Sequence, residues 1–391
     1  MHRRGRLIGA GILVCALMLA VLLSACGSGG GSSSTSAAAG GGGGEEPASN
    51  GESASNTEPA SSSKTYAEFS APIAWPGPEE PVTPPAGKSI TIVTCGSQGI
   101  TCVRVAEGAE AAANAVGYKS TVVDGQSNPS VWNQAIQAAV SNKTDGIVLA
   151  AVPPGLVAGA MAKAKAAGIP VAAVLSVVGP PATVRVNIDR KAVAYANAAW
   201  IGKDSGGGAH ILMLRDDEFP ETKISTESYP AALEAECSGC SIDAEAEFTL
   251  ALASQRLAGA VAQALREHPE INYIVMPFDT TNTFVEQGIA QAGMNGKVKM
   301  VGLGADPPSF QSLAEGSEVE SLGTPAQWMG WDAVDGLIRT FAGKSVPKYD
   351  SATLSNYEAP MRYVTAESPE PGPAGWPEFD YESKFEALWG K

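Results

Sequence analysis

Histidine is scarce in this chain: His2, His210 and His268 are the only three in 391 residues. None stands in a loop after a strand, where a general base would be held ready, so acid–base catalysis has no obvious agent. No His/Cys cluster has metal-ligand spacing, and no Gly-x-x-x-x-Gly-Lys phosphate loop occurs. Positive charge is also short, with 26 Lys and Arg against 41 Asp and Glu. A formal charge of −15 excludes a phosphate-backbone binder, which needs a basic surface. After residue 26 no apolar run is long enough to span a bilayer. The expectation is a protein without catalytic residues, metal, cofactor or nucleic-acid partner.

The one long apolar run, Leu7 to Leu23, follows Arg3, Arg4 and Arg6 and ends in Leu23-Ser24-Ala25-Cys26. A basic start, a greasy core and small closing residues are the marks of an export signal. Leucine three residues before a cysteine resembles the lipobox of bacterial lipoproteins. The resemblance implies that residues 1–25 are removed, that Cys26 carries lipid, and that the rest works outside the cytoplasm, anchored to the cell membrane. Residues 27–87 are rich in Gly, Ser, Ala, Glu and Pro, too polar to offset chain entropy. They read as a tether, with a root-mean-square span of about 45 Å if fully flexible.

From Lys88 onward short apolar runs alternate with Ala-rich helical ones. Strands are expected at Ile90–Thr94, Ser120–Val123, Gly146–Ala151, Val171–Leu175, Ile211–Leu214, 242–248, Tyr273–Met276 and 298–303. Helices of 10–15 residues between them make βαβ units and parallel sheets, and two such series imply two doubly wound α/β lobes. Four cysteines fall in this body. Outside the cytoplasm an even number favours disulfides, and of three pairings the short-range one, Cys95–Cys102 with Cys237–Cys240, fits best. Cys237-Ser-Gly-Cys240 follows a helix rather than opening one, which favours a staple over a redox pair. Asp204-Ser-Gly-Gly207 resembles a serine-protease signature, but at a helix-to-strand turn its glycines serve as a helix stop.

In this order and spacing, several short motifs resemble the type I periplasmic solute-binding proteins, in the ribose- and galactose-binding branch. They are Ile90-Thr-Ile-Val, Ala106-Glu-Gly-Ala-Glu, Lys143-Thr-Asp-Gly-Ile-Val, Ala166-Ala-Gly-Ile-Pro-Val, Asn272-Tyr-Ile-Val-Met-Pro-Phe-Asp279 and Val301-Gly-Leu-Gly304. The closing Phe385-Glu-Ala-Leu-Trp389 resembles the end of some lipoprotein members. The resemblance implies two parallel-sheet lobes joined by a three-stranded hinge near Asn187–Arg190, Gly323–Ala326 and Val346–Asp350. Residues 88–188 with 326–347 would form the N-terminal lobe, and 189–325 with 348–391 the C-terminal one. A monomer would trap a small solute by hinge closure and deliver it to a membrane permease powered by ATP hydrolysis. The alternative role is a ligand-sensing co-receptor for a sensor kinase. A transcription regulator on this core would need an N-terminal helix-turn-helix, which residues 27–87 do not offer.

The resemblance also places candidate ligand contacts in the loops after the strands: Gln98, Thr101, Ser176, Asp189, Phe248, Asp279, Asp306 and Trp328. Asn128, Pro153, Asp217, Phe219 and Gln327 are further candidates from the same rule. The pocket departs from the sugar pattern. Leu175-Ser176 stands where sugar binders carry Asp-Arg, and Gly304 where they carry an aspartate, so a less hydroxylated solute is one expected outcome.

Overall fold

Runs of valine, isoleucine and alanine with no charge between them make strands that can be covered on both faces. The computed structural model describes residues 66–176, 182–368 and 380–391. The signal, Cys26 and the tether as far as residue 65 lie outside the described residues. A single helical turn, α1 (Tyr66–Phe69), comes first. It is followed by β1 (Ser89–Thr94), α2 (Ile100–Ala115), β2 (Lys119–Val123), α3 (Pro129–Ser141) and β3 (Gly146–Ala150). Helix α4 (Ala158–Ala166), β4 (Val171–Val174) and β5 (Val184–Asn187) complete the first series.

The second series opens with α5 (Arg190–Ser205), β6 (His210–Arg215), α6 (Pro220–Glu236), β7 (Ser241–Glu247) and α7 (Ala253–Glu267). It continues through β8 (Tyr273–Val275), α8 (Asn282–Ala292), β9 (Lys299–Gly304), α9 (Pro307–Glu315) and β10 (Glu318–Gly323). Helix α10 (Ala326–Phe341), β11 (Tyr357–Glu358), β12 (Arg362–Val364) and α11 (Tyr381–Trp389) follow.

Two six-stranded sheets result, ordered β2-β1-β3-β4-β5-β11 and β7-β6-β8-β9-β10-β12. The first is wholly parallel, and in the second only β12 runs antiparallel, against β10. In each sheet the winding reverses beside its first strand, so a crevice opens at the carboxyl ends of β1 and β3, and of β6 and β8.

The chain passes between lobes three times. Residues 188–189 and 324–325 join the sheets where the sequence suggests. The third crossing is at 359–361, not at Val346–Asp350: the segment after α10 stays on the first lobe. Asn356 holds it there, its amide donating to the Arg185 carbonyl (2.8 Å) and its side-chain oxygen accepting from the Arg185 amide (2.9 Å). Strand β11 then pairs with β5 before β12 joins the second sheet.

Two segments depart from the expected division. Residues 66–87, expected as part of a structureless tether, pack onto both lobes. Tyr66 and Phe69 pack at a tilt against Tyr363 of β12, and Tyr66 also stacks on Trp200 of α5. Trp75 lies flat on Trp328 of α10 (ring centroids 5.4 Å) and edge-on to Phe385 of α11. Three well-placed rings suffice to order this strap, because each buries a large apolar area without needing a periodic pattern. Residues 380–391 are expected in the second lobe. Instead Trp389 stacks on Trp331 (5.3 Å) and donates to Asp335, fixing α11 to α10.

Helix α10 itself is seated on α2 through a glycine pair. A β-carbon at Gly108 would meet the Gln327 backbone, and one at Gly330 would meet the Val105 carbonyl and the Ala109 amide.

Candidate functional site

Strand ends in a doubly wound sheet deliver backbone to the crevice, and here they do so in a strained conformation. Ala151 after β3, Leu175 after β4 and Ala305 after β9 all have positive φ (54°, 51° and 50°). A residue with a β-carbon pays an energy penalty there, and such residues cluster where a site must be shaped. Ala151 and Leu175 line a cavity of about 80 Å³ between the two lobes.

From the first lobe the cavity receives Thr101, Ala151, Leu175, Ile188 and the disulfide that joins Cys95 to Cys102 across a Cα separation of 5.9 Å. From the second lobe come Arg190, Phe219, Glu221, Thr222, Leu250, Phe278 and Leu303. The second-lobe wall is set by Asp216 at the end of β6. Its carboxylate accepts from the amides of Glu218 (3.0 Å) and Leu250 (3.1 Å), and the Thr222 hydroxyl donates to its carbonyl. Burial pushes the Asp216 carboxyl up to about 7, with Glu218 adding to the effect.

The two lobes are also tied directly. Arg104 of α2 forms an ion pair with Asp306 (2.9 Å), and the Thr101 hydroxyl donates to the same carboxylate (2.6 Å). Asp306, at the head of α9, is fully buried.

Of the eight residues proposed from the sequence as ligand contacts, Thr101 lines the cavity and the other seven do not. Gln98 is exposed on the loop inside the Cys95–Cys102 bridge. Ser176 is buried beside Leu175, its hydroxyl without a partner. Asp189 caps α5, accepting from the amides of Lys191 and Ala192. Phe248 stands behind Phe278, ring against edge at 5.9 Å. Asp306 spends its carboxylate on Arg104 and Thr101. Trp328 is enclosed between Trp75 and Tyr381 and is core.

Asp279 turns inward for a definite reason. The left-handed turn at Ala305 leaves backbone donors facing the interior, and the Asp279 carboxylate accepts from the amides of Leu303 and Ala305 (2.7 Å each). Burial pushes its carboxyl up to about 6, against the hydrogen bonds that favour the charged form. Of Asn128, Pro153, Asp217, Phe219 and Gln327, only Phe219 reaches the cavity.

Sequence reasoning missed Arg190 and Glu221, the charged residues of the lining. Arg190 is the first residue after the Asp189 cap, and Glu221 follows the proline that opens α6. A charge at the first turn beyond a crossing or a strand-end loop was the available signal, but it also describes any helix start.

No relay for catalysis is assembled among the described residues. His210 faces both Asp243 (2.6 Å) and Ser241 (3.4 Å) through the same ring nitrogen, on the outside of the second sheet. A base must use its two nitrogens for the two partners. Among the described residues no group of His, Cys, Asp or Glu is placed to hold a metal, and no helix is long and apolar enough to cross a membrane. The second disulfide, Cys237–Cys240 (Cα separation 5.4 Å), lies at the end of α6.

Solved structures with the same architecture are numerous. An ABC sugar transporter subunit from Rhodobacter sphaeroides 2.4.1 is 20% identical, with a TM-score of 0.63 over 72% of this chain and 99% of its own. A glucose-galactose binding protein from Geobacillus stearothermophilus is 18% identical (TM-score 0.64, 73% and 99% covered). A periplasmic ribose ABC transporter protein from Conexibacter woesei is also 18% identical (TM-score 0.62, 73% and 94% covered). At this identity the likeness establishes a shared fold. No curated protein matches the chain. The model of the periplasmic binding protein domain matches residues 91–345, both lobes and the first two crossings between them, and the chain therefore belongs to the periplasmic binding protein domain family.

Proposed function

We propose that the protein captures a small solute between its lobes by hinge closure and presents it to the permease of an ABC importer. One observation carries the reading: a cavity shaped by two strained strand ends, at Ala151 and Leu175, lies between lobes already bridged by Arg104, Thr101 and Asp306. Closure of this kind couples ligand binding to a surface that a partner can recognise. The solved structures that share the fold include subunits of ABC transporters, which supports the permease as partner. Lipid on Cys26 would hold the body at the membrane, and a strap rooted in both lobes at residues 66–82 would connect it to the remaining tether.

The test has two parts. Small-angle scattering of the full chain should show contraction when a small-molecule extract of the source cells is added, and dialysis should reverse it. A radius unchanged by any extract fraction would refute capture by closure. Cys26→Ser should move the protein from the membrane fraction to the medium, and retention at the membrane would refute the lipid anchor.

A further inference from the structure

The wall of the cavity is apolar over most of its area, formed by the Cys95–Cys102 bridge, Leu175, Phe219, Leu250, Phe278 and Leu303. Its charges are one arginine and one glutamate. Arg190 is 8% exposed and its Nε has no hydrogen-bond partner. Glu221 is 1% exposed, at the head of α6. The two attract one another, although burial dominates at Arg190 and lowers its guanidinium to about 10. Together the pair is neutral, so a ligand with net charge would leave one buried charge uncompensated, which is strongly unfavourable.

Hydroxyl groups are poorly provided for. Of the four threonines in the lining, Thr101 has committed its one proton to Asp306 and Thr222 its own to backbone carbonyls, which leaves Thr280 and Thr324 beside the Arg190–Glu221 pair. A polyol would bring several hydroxyls into an apolar enclosure with few free donors, and each one left unpaired costs roughly 1–3 kcal/mol. A carboxylate has about four acceptor positions, so Glu221 can take a further donor whatever else it holds.

We propose that the cavity selects a compact, net-neutral solute with an apolar body and a single polar end that accepts from Arg190 and donates to Glu221, in preference to a polyol or an anion. An amide is the simplest group with that pairing. The inference rests on the reading of this cavity as the solute site.

The experiment compares isovaleramide with its near-isosteric anion isovalerate and with D-galactose, by calorimetry on the full chain. Isovaleramide should bind at least about tenfold more tightly than either. The double substitution Arg190→Met with Glu221→Leu replaces the pair by apolar groups of similar size, so the fold should survive while the amide preference disappears. Tighter binding of D-galactose would overturn the ligand class while leaving capture by closure intact. Tighter binding of isovalerate, no binding of isovaleramide at millimolar concentration, or full amide affinity in a folded double variant would each overturn the inference. Contraction with a cell extract would still stand as the separate measure of capture.

Discussion

Asp279, Glu318 and Glu320 lie within the second lobe with almost no exposure. Glu318 accepts from Asn282 (2.7 Å) and Ser309 (2.5 Å), whereas both oxygens of Glu320 lack a hydrogen bond. Burial raises both glutamates well above the usual carboxylate range, and the charge on Asp279 adds to it. The sign follows from linkage. A group whose folded pKa is raised contributes stability that is complete below its unfolded value and lost as pH rises through the folded one. For Asp279 the loss runs from about 4 to about 6, and for Asp216 from about 4 to about 7. Asp145 and Asp204 shift the other way, held low by hydrogen bonds and ion pairs with Lys88 and Lys299, and cost stability only as pH falls below the ordinary range. Thermal unfolding should therefore show a higher Tm near pH 5 than near pH 8. Glu320→Gln should raise Tm at pH 8 and narrow that difference, and a Tm that climbs from pH 5 to 8 in the wild type would contradict the account.

At the scale of elements, α10 decides how the first lobe is assembled. It lies on α2 with Gly108 and Gly330 in mutual contact, so a side chain at either position must force the helices apart. Gly330→Val should cost about 1–3 kcal/mol, the range for overpacking, and lower Tm by several degrees. An unchanged Tm would mean that the helices separate freely. The outer face of α10 is covered by α11 and the strap, through the stacked rings of Trp75, Trp328, Tyr381, Trp331 and Trp389. Trp75 is half-buried, so Trp75→Ala should cost about 2–3 kcal/mol, below the 3–5 typical of an enclosed tryptophan. A loss within error of zero would show the strap to be only loosely applied. The strands that the sequence pattern missed are of two kinds. Strand β10, Glu-Val-Glu-Ser-Leu-Gly, alternates charge with apolar residues and reads as surface, yet its glutamates point into the lobe. Strands β5, β11 and β12 are four residues or fewer and, unlike the equally short β4 and β8, carry charged or polar residues that break the apolar run.

For the molecule as a whole, the ion pair from Arg104 to Asp306 joins the lobes outside the cavity lining, and under the proposed closure it would bias the balance between open and closed lobes. Apparent affinity scales with the fraction of protein able to bind. Arg104→Ala strands a buried carboxylate only when the lobes are together, so it should weaken solute binding about tenfold or more and enlarge the unliganded radius seen by scattering. Unchanged values of both would remove the bridge from the closure equilibrium. The two-lobed α/β architecture was legible in the chain because it depends on local periodicity: valine and isoleucine runs, alanine-rich helices and glycine stops recur in order. The site was legible only as a set of loops. Which member of a loop faces the cavity depends on small rotations, and Phe278 and Thr280 line it while Asp279 between them turns to the Leu303 and Ala305 amides. The same holds at 188–190, where Asp189 caps a helix and its two neighbours line the cavity. Sequence alone determined the alternation of strands and helices, and with it which loops follow strands, since both depend on local pattern. Tertiary structure decided which side chains remain free for a ligand, because each buried amide and charge first takes the nearest partner that packing brings within reach.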